Sequence, residues 1–172
     1  MANLIVTLIS IAVILSGVSL IAQGSFKSMG DLSDDWKQME VRSGDISRTE
    51  IEVVSHHHHS NQVDIVIENS GQTPLNDFMA WDVVVEYYQS DGTYHQLWFP
   101  YTSAYPPGDN QWSVEGIFRN DSGTQSEVYQ PGILNPAEYV IIRAKVNPTY
   151  NNNGRNHIII GTPNGVTVST MF

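Results

Sequence analysis

The first 26 residues, Met1 to Phe26, contain no Asp, Glu, Lys, Arg or His, and the first charge in the chain is Lys27. Twelve Ile, Leu and Val side chains fall within that stretch, from Leu4 and Ile5 through Val6, Leu8, Ile9, Ile11, Val13, Ile14, Leu15, Val18 and Leu20 to Ile21. A helix over residues 2 to 23 is roughly 33 Å long at ~1.5 Å per residue, close to the ~30 Å hydrocarbon thickness of a bilayer. Each large apolar side chain is worth about 1.5–3 kcal/mol out of water. Such a segment has to be covered by lipid or by other protein.

The flanks discriminate between three readings. A secretory signal peptide needs a basic region ahead of its apolar run and small residues at a cleavage point. Met1-Ala2-Asn3 supplies no basic residue, and Ala22-Gln23-Gly24 is a weak cleavage signal. A permanent anchor carries positive residues on its cytoplasmic side, whereas Lys27 is followed here by Asp31, Asp34 and Asp35. The third reading is favoured: a short basic leader preceded Met1 and was removed, leaving a mature subunit whose uncharged helix can leave the membrane. Transfer from lipid to a bundle of like helices is then decided by packing. Small residues that permit close helix approach, Thr7, Ser10, Ala12, Ser16, Gly17, Ser19 and Ala22, are interspersed through the run, with Ala12 and Ser16 four apart.

Beyond the apolar run, Gly24 and Gly30 are expected kinks. Leu32, Trp36 and Met39 then fall on one helical face, with Asp34, Lys37 and Gln38 elsewhere. Gly44 is the expected stop. From about Ile46 the period changes to alternation, the mark of half-buried strands. Val63, Ile65 and Ile67 alternate with Asp64, Val66 and Glu68, and Trp81, Val83, Val85 and Tyr87 share one face. Further strands are expected at 94–99, 111–118, 138–146, 157–161 and 166–172. Between them lie turn signals: Asp91-Gly92, Pro106-Pro107-Gly108, Ser122-Gly123, Pro131-Gly132, Asn153-Gly154 and Asn164-Gly165. The expected fold is α+β, with a long N-terminal hydrophobic helix over 1–44 and an all-β sandwich or barrel-like head over 45–172, a pilin-like outline.

Eight Lys and Arg against eighteen Asp and Glu give a net charge of −10. That balance excludes a nucleic-acid partner, which needs a cationic footprint. The chain has no cysteine, so it has neither disulfides nor thiolate chemistry.

The uncharged helix, combined with a β-head containing Asn69-Ser70-Gly71, Pro131-Gly132-Ile133-Leu134-Asn135-Pro136 and Thr162-Pro163-Asn164-Gly165-Val166, resembles the archaeal-type flagellins, the type IV pilin-like subunits of the archaellum filament. Small accessory archaellum proteins with the same head look similar. The near-N-terminal glutamate of bacterial type IV pilins has no counterpart in Met1-Ala2-Asn3-Leu4-Ile5, which points to the archaellin branch. The resemblance implies a secreted, extracellular filament on the cell surface, a homopolymer built through its N-terminal helices and inserted in the membrane before assembly. Its core helix would comprise Leu4, Ile5, Leu8, Ile9, Ile11, Ala12, Val13, Leu15, Ser16, Gly17, Val18, Leu20 and Ile21, and the heads would form the outer wall. Envelope or accessory filament proteins are the expected further partners. The alternatives are an accessory archaellum or pilus protein, anchored in the membrane with its head against the cell envelope, an adhesive pilus subunit, and an anchored carbohydrate-binding module.

Sites of chemistry are few. His56, His57, His58 and His59 could offer imidazoles to a metal, but four adjacent residues cannot all face one ion, and a solvated hairpin loop is the favoured reading. The Asn- and Asp-rich loops are explained by Asx-turns without an ion. No hydrolase elbow, phosphate-cradling loop or metalloprotease pair is present, so the expectation is a non-enzyme with no cofactor and no metal. Asn120-Asp121-Ser122 matches the N-glycosylation pattern, placing a candidate acceptor at Asn120. The aromatic cluster Tyr94, Trp98, Phe99, Tyr101, Tyr105 and Trp112 suggests a sugar platform or a subunit contact, against ordinary core packing.

Overall fold

The structure, a computed structural model, describes residues 2–152 and 155–172; the expected Asn153-Gly154 turn lies outside the described residues. Among the described residues one α-helix is formed, α1 (Ala2–Arg48), and it runs unbroken through Gly24 and Gly30. Its last turn belongs to the second of two compact units, which divide after Ser43.

Gly44 is not the stop, and Ile46 is helical rather than extended. The chain leaves the helix at Thr49, whose N–H donates to the Ile46 carbonyl at 3.2 Å and whose hydroxyl donates to the Asp45 carbonyl at 2.7 Å. Orphan carbonyls at a helix end must find donors, and a threonine supplying two fixes the boundary four residues beyond the glycine.

The described residues of the head, within Gly44–Phe172, form eight strands. They are β1 (Ile51–His59), β2 (Gln62–Asn69), β3 (Asp82–Tyr88), β4 (Tyr94–Phe99), β5 (Gln111–Phe118), β6 (Tyr139–Lys145), β7 (His157–Gly161) and β8 (Thr167–Met171). A 3₁₀ turn, Phe78–Ala80, precedes β3. All pairings are antiparallel, in two four-stranded sheets of order β1-β2-β6-β5 and β4-β3-β7-β8. The alternation read from sequence sets the core. Val63, Ile65 and Ile67 of one sheet and Trp81, Val83, Val85 and Tyr87 leading into and along the other are buried, joined by Phe99, Trp112, Leu134, Ile142, Ile158 and Ile160. Turn glycines Gly92, Gly123, Gly132 and Gly165 all take positive φ, the conformation that selects glycine at those corners.

The histidine run is a correction. His56 to His59 are not a loop: they form the end of β1, paired with Ile65, Asp64, Val63 and Gln62, and the reversal is made by Ser60 and Asn61. A bulge at Val54 shifts the register just before them. Pairing with a strongly alternating partner strand carries β1 on past its last apolar residue, which periodicity within β1 itself could not reveal.

Candidate functional site

The apolar segment of α1 is hydrophobic on every side, not along one stripe. It is long and apolar enough to cross a membrane, and none of it is buried. A helix apolar all round belongs in a membrane span or a core. Among the expected core-helix residues, the large ones from Leu4 to Ile21 are all exposed, and the space around Gly17 is open. Two of its hydroxyls are satisfied within the helix: Thr7 donates to the Asn3 carbonyl and Ser16 to the Ala12 carbonyl, each at 2.8 Å. Hydroxyls bonded back to the preceding turn need no partner from outside, the condition for lying in hydrocarbon. Ala12 and Ser16 share one helical face, but Ser16 spends its donor on that face locally.

At the other end of α1, the three sequence segments that carry the family resemblance converge within the head. Asn69 is fully buried, its amide donating to the carbonyls of Thr73 at 2.9 Å and Leu134 at 3.0 Å, while its side-chain oxygen accepts from Gly71 N–H. Gly71 N–H and Gln72 N–H reach the Glu50 and Arg48 carbonyls at 3.0 and 2.8 Å. The backbone approach is so close that a Cβ on Gly71 would sit 2.4 Å from Glu50 N. From the third segment, the Asn164 amide donates to the Thr49 hydroxyl at 2.7 Å. Around the emerging helix, Asp45, Thr73, Leu75, Asn76 and Pro163 line a shallow cleft of about 160 Å³. These motifs therefore seat the helix end.

The two sheets carry different charge chemistry. On the first, the Arg143 guanidinium makes a bidentate pair with Asp64, both bonds at 2.6 Å, and lies 3.6 Å from Glu115. The Tyr105 ring covers it at 4.8 Å. The Asp64 hydrogen bonds hold the Arg143 pKa above its ordinary value. Burial, then the Glu115 carboxylate, pushes the Tyr105 hydroxyl up to about 12. Lys145 pairs with Asp109 at 2.7 Å. Such paired, partly buried ions serve the fold.

The aromatic cluster expected from sequence separates. Phe99 and Trp112 are core, Tyr101 packs edge-on against Trp112, and only Tyr94, Trp98 and Tyr105 are exposed. Asn120 lies in the loop after β5, its amide donating to the Ser122 and Thr124 hydroxyls at 2.6 and 2.7 Å and its oxygen accepting from the Thr124 and Gln125 N–H groups. That amide closes the loop, so a glycan attached there would have to open it. Among the described residues, no group of three or more His, Cys, Asp or Glu is placed to share a metal ion. β1 turns successive histidines to opposite faces, so at most two share a side.

No protein-family model and no curated protein matches the sequence. Solved structures do. A chain of the archaellum periplasmic stator protein complex FlaF and FlaG from Sulfolobus acidocaldarius aligns with a TM-score of 0.51 and 24% identity, over 72% of this chain and 89% of that one. The archaellum periplasmic stator protein FlaG from the same organism aligns with a TM-score of 0.51 and 24% identity, over 72% of this chain and 99% of that one. The likeness is one of fold: a head of this architecture occurs in an archaellum stator protein.

Proposed function

We propose that this chain is an accessory protein of the archaellum, anchored in the membrane by α1 and presenting its β-sandwich head on the outer side. In this reading the chain is not the filament subunit that the sequence resemblance first implied. The observation that carries it is the joining of a span that is apolar all round, with the Thr7 and Ser16 hydroxyls bonded back within the helix, to a head folded like an archaellum periplasmic stator protein. A filament-core helix has to find its partners in copies of itself. This one is long and apolar enough to cross a membrane. Because one neighbour is a FlaF and FlaG complex, other archaellum proteins at the same membrane are the expected partners, and the head is the part that meets them.

Fractionation tests the proposal. Cells expressing the full chain are sheared, and the released fibres are separated from the membranes. The account expects the protein in the membrane fraction, extracted only by detergent, with its head cut by added protease in cells stripped of their outer layer. Recovery of the protein as a major component of sheared fibres would return it to the filament.

A further inference from the structure

The outward faces of the two sheets differ. The first is roofed by its own chain: Val66 and Ser113, which point outward in register, are nonetheless buried, and Tyr105 lies over Arg143. The second is bare. Across β4, β3 and β7 run the rows Tyr94–Tyr88, Gln96–Glu86–His157 and Trp98–Val84–Ile159. Trp98 is 58% exposed and Tyr94 49%.

This bare face is organised. The Trp98 indole N–H donates to the Asp82 carboxylate on the neighbouring strand at 2.9 Å, which fixes the ring, and Gln96 donates to Glu86 at 2.8 Å. The Tyr88 and Tyr94 rings lie 5.1 Å apart. None of the four strands of this sheet contains Lys or Arg. The His157 ring lies beside Glu86, its Nδ1 3.6 Å from the carboxylate. Rings, carboxylates and amides without Lys or Arg suit a ligand that offers C–H faces and hydroxyl donors. The same face disfavours phosphate, sulfate and carboxylate, which would meet the Asp82 carboxylate with no Lys or Arg on these strands to offset it.

Size separates the remaining occupants. Four strands at ~4.8 Å spacing and about six residues at ~3.3 Å give a platform of roughly 400 Å². A stable protein interface takes about 800 Å² from each partner, so a second copy or a globular partner would be under-supported here. A sugar chain of a few units would be fully served.

We propose that the outward face of the β4-β3-β7-β8 sheet binds a neutral oligosaccharide. Sugar rings stack on Trp98 and on the Tyr88–Tyr94 pair, and their hydroxyls donate to Asp82 and Glu86. The C–H face of a pyranose, slightly positive, meets the negative face of an aromatic ring, and carboxylates are the strongest acceptors for hydroxyl donors. This proposal does not depend on the archaellum reading, since it rests on the head alone.

The test uses the full chain in micelles of a sugar-free detergent. It is titrated with cellohexaose, chitohexaose and mannohexaose, and with an oligogalacturonate as the anionic comparison, followed by indole fluorescence and by heat. Saturable binding of at least one neutral hexasaccharide is expected, with a fluorescence change. Affinity should fall about tenfold in Trp98→Ala, fall less in Tyr94→Ala and Trp98→Phe, and hold in Tyr129→Ala, which removes an exposed ring elsewhere. If Trp98→Ala melts early, Tyr94→Ala decides. The proposal is overturned if no neutral probe binds, if binding survives both ring deletions, or if the oligogalacturonate binds as well as the neutral sugars. It is equally overturned if Trp98→Ala alters only the oligomeric state.

Discussion

The first half of α1 is more than twice as rich in Ile, Leu and Val as the head, and the two regions dispose of these residues in opposite ways. In the head, inward residues of two sheets meet across one core, and Val63, Ile65, Val83, Tyr87, Trp112 and Ile142 are fully buried. In α1, every large apolar residue from Leu4 to Ile21 is exposed. A β-strand exposes two faces and can bury one within its own domain; a lone helix apolar on all sides cannot. The difference teaches that the head specifies its own fold, while the helix specifies an environment.

The comparison breaks most visibly in the head's core. Trp81→Ala removes a buried indole that packs against Phe78 at 5.1 Å and donates to the Asn76 carbonyl. It should cost about 3–5 kcal/mol, read as a large drop in the melting temperature of the head with membrane association unchanged. The converse substitution, Ile11→Asp, leaves the head's melt untouched. It should cost about 2.5–3.5 kcal/mol of insertion at the centre of a span, read as loss of protein from the membrane fraction. If either variant moved both readouts, the division between the two regions would fail.

A smaller effect is expected where the head grips the helix end. A Cβ on Gly71 would meet Glu50 N at 2.4 Å and Arg48 O at 2.6 Å, both backbone atoms that cannot swing aside. Gly71→Ala should therefore destabilise the head by about 1–3 kcal/mol, with hydrogen exchange rising first at Gly71 and Gln72. An unchanged melt would mean that the seat is slack.

Alkaline pH sharpens the description of the first sheet. Burial and Glu115 raise the Tyr105 hydroxyl from 10.0 to about 12. The folded head holds a proton there that the unfolded chain has released, so stability is at its full value below about pH 10 and declines toward pH 12. Tyr105→Phe should make that decline shallower, as measured by denaturant midpoints at stepped pH. The smallest effect is expected from Ala12→Leu and Gly17→Leu. A helix surrounded by lipid should tolerate both with no change in membrane association, whereas a helix packed tightly on copies of itself would not.

Much of this was legible in the sequence because it rests on period and charge. The charge-free opening gave the helix, the alternation of Val63 to Glu68 and of Trp81 to Tyr87 gave two central strands, and the glycine turns were placed by their need for positive φ. Features set by a distant partner were hidden. His56 to His59 have no apolar period of their own and became strand through β2. The helix passes Gly44 because Thr49 and Asn164, 115 residues apart in sequence, cap it together. The sequence segments behind the archaellin resemblance meet at the last turn of α1 and the start of β1, an arrangement that a filament subunit and an anchored accessory protein can share. The aromatic cluster could not be divided into core and surface until the registers of β4 and β5 were known.

The most direct test exploits the absence of cysteine in the chain. A nitroxide attached to the single cysteine of Val13→Cys, in native membranes, reports which molecules can reach the middle of the helix. Anchorage in lipid predicts fast relaxation by oxygen and protection from a water-soluble nickel chelate. Protection from both agents, as inside a bundle of copies, or ready access by the chelate, would contradict it.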